Sequence, residues 1–252
     1  DIIFLHQSQL DAGWKFVCNE FQFKYILIVD NPSQCEPIDN LSHKPSAIIT
    51  YPHLDYGIMK MTHLFKEYQT INIHTVAKVV QIHNAKYEKN MESEVLVDTT
   101  NVTIDQNINN ILLYLIHNYR TKIIGENTVS FHQYLGKVTI LERANFIKSA
   151  KVVIDLEANP SRCWDAAYLK VPSITLYPVE DPISQFNNLQ ELRSNLKTIR
   201  DKDIVRKKYI DQCYEKVYNN KTSYHLTAQI FNKINENYIA ENLLKYLEGL
   251  KI

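Results

Sequence analysis

Short apolar runs alternate with longer segments of helical spacing along the whole chain, and that alternation predicts an α/β protein. In the first third, Ile2–Leu5 and Tyr25–Val29 are apolar runs of strand length, Ala47–Thr50 reads as a third strand, and Ile71–Val76 alternates weakly as a fourth. Between them, Trp14, Val17, Cys18 and Phe21 share one helical face, as do Ile58, Met61, Leu64 and Phe65. Asp30-Asn31-Pro32 and Tyr51-Pro52-His53 are the turn signals that close two of these strands. From Tyr87 to Glu94 the residues are charged or polar with no apolar period, which reads as a linker. The expected organisation is therefore a small α/β domain over 1–88 and a second over 89–252.

The second part restarts the pattern. Val95–Asp98 predicts a strand and 104–119 a helix that buries Ile108, Ile111, Leu112, Leu115 and Ile116. Lys122–Gly125 predicts another strand, Val129–Leu135 a short strand or extended piece closing at Gly136, and Leu141–Ala150 a helix. Val152–Leu156, apolar but for Asp155, reads as a strand covered on both faces. It ends in Glu157, and the turn Ala158-Asn159-Pro160 leads to Ser161, a good N-cap for a helix over Arg162–Lys170. Pro172 stops that helix and Ser173–Tyr177 reads as the next strand. Helices are predicted beyond it over Ser184–Arg200, Asp203–Tyr218 and Thr222–Leu250.

In open parallel sheets, ligands bind beyond the carboxyl ends of the strands. Glu157 stands at such an end, and Asp165 lies in the first turn of the following helix. The free N–H groups of Arg162, Cys163 and Trp164 would favour a phosphate there. Taken singly, either acid is more often structural, since first-turn acids complement the helix dipole. The pair in its strand–turn–helix frame is more specific.

Composition narrows the chemistry. Lys and Arg total 28 and so do Asp and Glu, so no global field draws the 252-residue chain to nucleic acid or an anionic membrane. Five glycines and no G-x-G-x-x-G or G-x-x-x-x-G-K-[ST] set aside a Gly-rich phosphate loop. Four scattered cysteines fit free thiols in a reducing compartment, and with no run of membrane-span length the chain reads as cytoplasmic. No His pair has metal-ligand spacing on one helix face, so no metal is expected. His6, Gln7, Asp30, His53 and Asp55 follow the first strands. His53 is a candidate base or acceptor-binding group, weighed against the commoner structural role of a turn histidine. The cluster Arg193, Lys197, Arg200, Lys202, Arg206, Lys207 and Lys208 is interleaved with acids and reads first as a solvated face.

Seven residues separate Glu157 from Asp165, and Asp165 opens the run DAAYLKVPSIT. This resembles the donor-binding signature of retaining GT-B glycosyltransferases: Glu, seven residues, Glu, then Ala-x-Ala-x-Gly-x-Pro and a strand. Asp165 stands for the second Glu, and Lys170 stands where Gly is usual. Phe131-x-x-Tyr134-Leu135-Gly136-Lys137-Val138 is similar to the family's strand-plus-Gly segment, and ERANFIKSAKVV (142–153) to the helix and strand entry that follow. The resemblance implies two Rossmann-like domains with parallel sheets facing across a cleft, the acceptor side first and the donor side second, with a helical C-terminal end.

It further implies that Glu157 contacts the donor sugar and Asp165 the ribose. The turn through Asn159 and Ser161, with Arg162, would face the diphosphate, and Gly136 to Val138 the base. Family members place an Arg and a Lys just after the first donor-domain strand; here that segment is Thr99-Thr100-Asn101-Val102-Thr103, so Thr99 is carried over as donor-binding and no base is present. Lys122, Lys137, Arg143 or Arg162 stand as substitutes, Arg162 being nearest in sequence to the phosphate turn. The implied reaction is metal-independent sugar transfer with retention. It needs no cofactor beyond the nucleotide-sugar substrate, a UDP-sugar first, and leaves the acceptor open between glycan, lipid, protein and modified DNA base. Two rivals remain: a binding protein that kept the fold and lost the phosphate clamp, and a sugar-nucleotide epimerase, which would need more cleft acids and histidines than the sequence places.

Overall fold

The apolar runs form strands, and those in the middle of each sheet are buried. In the computed structural model the described residues are 2–6, 20, 24–29, 45–50, 70–72, 77–126, 130–158 and 160–251. Ile2–His6 (β1), Lys24–Val29 (β2), Ala47–Thr50 (β3) and Thr70–Asn72 (β4) make a parallel sheet in chain order. Ile3 lies opposite Tyr25, Ile26 opposite Ala47, and Ile48 opposite Thr70. Tyr25, Ile26, Leu27, Ala47 and Ile48 have no solvent exposure, as expected of central parallel strands.

A second parallel sheet is built from Ser93–Asp98 (β5), Thr121–Ile124 (β6), Ala150–Asp155 (β7), Ser173–Thr175 (β8) and Ser184–Gln185 (β9), in the order β6-β5-β7-β8-β9. Its helices are Val79–Ile82 (α1), Gln106–Asn118 (α2), Ile140–Ser149 (α3), Arg162–Tyr168 (α4), Leu189–Asp201 (α5) and Asp203–Asn220 (α6). Ser223–Lys233 (α7) and Asn237–Glu248 (α8) complete the chain. Successive strand residues point to opposite faces. Val95, Val97, Val152 and Ile154 therefore pack with Ile108, Leu112 and Leu115 of α2 and Leu192 and Leu196 of α5. Leu96 and Val153 join Ile147 of α3, Trp164 and Tyr168 of α4 and Val217 of α6 on the other face.

Contacts divide the chain into one unit of residues 1–74 with 226–245 and another of 75–225 with 246–252. The expected boundary at 88/89 differs from this division. Residues 77–88 belong with the second unit because Ala77 bridges Thr222 and the Lys78 N–H donates to Asp165. The polar stretch that reads as a linker is fastened: Lys89–Met91 is a 3-10 turn, the Glu88 N–H donates to Ser149 Oγ at 2.7 Å, and Asn145 Nδ2 donates to Glu88 Oε1 at 2.7 Å. In the first unit, Ile230 and Ile234 pack with Ile26, Ala47 and Ile49.

Three expected elements change. Residues 130–135 are not a strand but a loop running beside β6, with one bridge from Tyr134 to Ile123. The helix expected from Ser184 begins at Leu189, since Ser184 and Gln185 pair with β8 and Asn188 caps α5 by accepting from the Glu191 N–H. The helix expected over 222–250 breaks between α7 and α8, where Asn235 has φ 63°. Apart from Glu20, which is helical, the helices expected near 14–21 and 57–68 lie outside the described residues, as does 73–76. No helix of the described residues is long and apolar enough to cross a membrane.

Gly125, directly after β6, has φ 136°, and a Cβ there would lie 2.5 Å from Thr99 Oγ1 and 2.6 Å from the Thr100 nitrogen. The close approach is to backbone as well as side chain, so little can yield. Gly125→Ala is expected to cost roughly 2–5 kcal/mol from backbone strain plus overpacking. Urea unfolding measures this, and a loss below about 0.5 kcal/mol, the range of ordinary surface substitutions, would refute it.

Candidate functional site

The strand order places β5 between β6 and β7, so the chain leaves β5 in one direction and later returns to its other side. That reversal makes a crevice at the carboxyl ends of β5 and β7, where open α/β sheets take ligands. The two strands end in register on a pair of acids, Asp98 opposite Asp155. Neither was singled out from the sequence. The signal was present, because Val95-Leu96-Val97-Asp98 and Val152-Val153-Ile154-Asp155 are the same apolar run closed by aspartate.

Asp98 is 3% exposed and sits between two guanidinium groups. Arg162 Nε, at the start of α4, donates to its Oδ2 at 2.9 Å. Arg143 Nε, on α3, lies 2.7 Å from the same oxygen, although its N–H is not directed at it. The Thr100 N–H donates to Oδ1 at 2.9 Å, and Arg143 Nη2 donates to Thr100 Oγ1 at 3.0 Å. Burial works most strongly against the Arg162 charge, but the neighbouring acids, Asp98 first and then Asp165, Glu157 and Asp155, together outweigh it and leave the Arg162 pKa raised.

Asp155 has no solvent exposure. It accepts from the Glu157 N–H at 3.1 Å and from the Cys163 N–H at 3.0 Å. Burial pushes its pKa up to about 7, against the pull of those two hydrogen bonds. Two of the three N–H groups expected to favour a phosphate, those of Arg162, Cys163 and Trp164, are used within the chain. The Cys163 N–H is taken by Asp155 and the Trp164 N–H by the Ser161 carbonyl at 3.2 Å. An internal carboxylate thus fills the position at the helix start that favours an anion.

Asp165 is 2% exposed, and burial raises its pKa. Its Oδ1 accepts from the Lys78 N–H at 2.9 Å and its Oδ2 lies 3.9 Å from Arg162 Nη1. It fastens the segment before α1 to α4. The carboxylate for which a ribose contact is expected is thus engaged within the chain and enclosed. Lys170, standing where glycine is usual in the resembling signature, takes the left-handed conformation at φ 58°.

Glu157 is partly exposed. Asn101 Nδ2 donates to its Oε1 at 3.0 Å, and Ser161 Oγ donates to its Oε2 at 2.8 Å. Ser161 occupies the N-cap position, yet its side chain caps nothing; it also accepts from Arg162 Nη1 at 3.1 Å. Asn101 is exposed with φ 61°, a conformation asparagine tolerates better than most residues. Thr99, to which a donor-binding role is carried over, is fully buried and its hydroxyl donates to the Ile124 carbonyl at 3.1 Å. The partly exposed Gly136 has φ 85°, and its carbonyl accepts from the Gly125 N–H at 3.1 Å. Val138 packs partly buried against the core. Lys137 pairs with Glu126 and Lys122 donates to the Asn90 carbonyl, so neither reaches Asp98 or Glu157. His53 and Asn159 lie outside the described residues. Among the described residues no cluster of three or more His, Cys, Asp or Glu has the arrangement of a metal site.

The structure thus brings Glu157, Ser161 and Arg162 together and adds Asn101, Asp98, Asp155 and Arg143. The result is one accessible carboxylate, held by an amide and a hydroxyl, above a buried layer of alternating charge. Such a carboxylate can accept two directed hydrogen bonds from a diol.

Two Rossmann-like units with parallel sheets and a helical C-terminal end define an α/β fold of the GT-B kind. The chain is similar to the structure of TarM, with a TM-score of 0.56 and 14% identity over 88% of this chain and 57% of that one. It is also similar to the structure of accessory secretory proteins 1, 2 and 3 from Streptococcus pneumoniae (TM-score 0.56, 13% identity, 100% of this chain and 54% of that one). A third likeness is to the N-terminal domain of Candida albicans trehalose-6-phosphate phosphatase (TM-score 0.59, 12% identity, 94% and 72%). These are likenesses of fold, and the chain spans just over half the length of the first two structures. No protein-family model matches the chain, and no curated protein matches it in sequence.

Proposed function

We propose that the chain is a GT-B-type glycosyltransferase that holds a nucleotide-sugar at the carboxyl ends of β5, β6 and β7. The observation that carries this reading is the accessible Glu157 carboxylate at the switch point of the second sheet, fixed by Asn101 and Ser161. In this reading Glu157 binds the sugar hydroxyls, Gly136 to Val138 line the base, and the turn through Asn159 lies by the diphosphate. His53 is the acceptor-side candidate. A UDP-sugar is the first donor to test, transfer proceeds with retention and without a metal, and the acceptor is a glycan, lipid, protein or modified DNA base. Fixed donors stabilising the leaving diphosphate and orientation of the two substrates supply the catalysis.

Thermal shift against UDP-, GDP-, ADP- and CDP-sugars tests the reading. A ligand at a hundred times its Kd stabilises by about 2.7 kcal/mol. Glu157→Gln is expected to weaken the responding nucleotide-sugar about 10- to 100-fold while sparing the bare nucleotide, the scale of one hydrogen bond to a charged group. Equal weakening of both would remove Glu157 from the sugar, and no response to any donor would remove the whole reading. A second reading, a binding protein on the same fold, is favoured by one observation: the nearest cations, Arg143 and Arg162, already face Asp98. Donor binding with neither hydrolysis nor transfer would select it.

A further inference from the structure

The two arginines on Asp98 are not equivalent. Arg162 has a side chain 5% exposed, and its guanidinium is used by Asp98 at 2.9 Å, Ser161 at 3.1 Å and Asp165 at 3.9 Å. Arg143 has a side chain 12% exposed, and its one directed hydrogen bond among the described residues runs from Nη2 to Thr100 Oγ1. Its Nε–H is buried and aimed at no acceptor, although Asp98 Oδ2 lies 2.7 Å from the nitrogen. A guanidinium carries five N–H donors in a planar fork, so Arg143 has capacity that Asp98 does not use.

Two further facts bear on what that capacity is for. If Arg143 turned to another anion, Asp98 would keep Arg162 Nε and the Thr100 N–H, so the exchange leaves no buried charge alone. The other feature here that attracts anions, the start of α4, is already filled by Asp155. An incoming phosphate oxygen therefore finds its donors on the β5–β6 side of the crevice. Thr100 Oγ1 accepts from Arg143, which leaves the hydroxyl proton free to be directed at the same oxygen.

We infer that Arg143 is the anion-binding group of this site and that Asp98 is its internal counter-ion, displaced when a diphosphate binds. The inference deepens the donor-site reading and rests on it. The chain then selects diphosphate-bearing ligands by an arginine on α3 rather than by basic residues in the loop after β5.

Calorimetric titration of inorganic pyrophosphate, and of UDP, GDP, ADP and CDP, into the intact chain and its variants tests this. Arg143→Gln is expected to weaken pyrophosphate and the responding nucleotide about 10- to 100-fold, the scale of a lost hydrogen bond to a charged group. Arg143→Lys keeps the charge but not the fork and is expected to fall between. Asp98→Asn removes the competing anion while keeping an acceptor for Thr100, and is expected to tighten pyrophosphate. Wild-type affinity in Arg143→Gln overturns the inference and leaves the donor site standing. If that variant does not fold, unchanged pyrophosphate affinity in Arg143→Lys overturns it instead. Unchanged or weaker binding in a folded Asp98→Asn overturns the displacement, and a wild-type chain that binds neither pyrophosphate nor any nucleotide removes both readings.

Discussion

Replacing Arg162 with methionine is expected to destabilise the fold by about 3–5 kcal/mol, the scale of a buried ion pair broken from one side. The substitution keeps most of the apolar stem but leaves Asp98, 3% exposed, with the Thr100 N–H and the misdirected contact from Arg143. Asp165 would lose its cation in the same step. Urea unfolding at neutral pH measures the change, and a loss under about 1 kcal/mol would mean that Asp98 finds water or another partner. A double variant, Arg162→Met with Asp98→Leu, is expected to recover part of the loss, because Asp98 is then no longer a buried charge deprived of Arg162, although Arg143 loses its anion and Asp165 still lacks Arg162. Recovery would be incomplete, since the Thr100 N–H would then lack its acceptor.

The second large effect is a pH dependence set by Asp155. Its folded pKa is about 7, against an ordinary 3.8, because burial disfavours the charged form. The native state therefore holds this proton more tightly than the unfolded chain does. The associated stability is fully present below pH 3.8 and is lost as pH rises through about 7. A displacement of about three pKa units corresponds to roughly 4 kcal/mol across that window. Asp155→Asn cannot ionise, so its stability curve is expected to lack this falling component, whatever its absolute level. Parallel curves for wild type and variant between pH 3.8 and about 7 would show that Asp155 ionises in place without penalty. Since Asp155 holds the backbone of both Glu157 and Cys163, the same titration bears on the geometry of the β7 tip.

Asp155 also shows why the candidate site was only half legible in the sequence. Glu157 and Ser161 were found because turn residues and helix caps act over a few neighbouring positions. Asp155, two residues earlier in the same motif, reads in the sequence only as part of the Val152–Leu156 strand. Its importance comes from the Cys163 N–H and from Asp98, the latter brought alongside by parallel pairing of β7 with β5. Asp165 stands at the second acid of the motif, and the Lys78 N–H, 87 residues away in the chain, engages it, which no local pattern shows. Arg143 stood in the sequence as one of four cations without a partner, and only the packing of α3 beside β5 distinguished it from Lys122 and Lys137.

By itself the sequence determined the parallel α/β class, most strand cores and the tip where Glu157 stands. Apolar runs, their periods and the turn residues between them are local properties, and a strand buried on both faces leaves little latitude in composition. The tertiary structure alone decided which acids are enclosed, which arginine answers each of them, and where residues 77–88 belong. Burial and charge pairing depend on groups delivered by remote segments, and a parallel sheet brings together strand ends that the sequence keeps tens of residues apart.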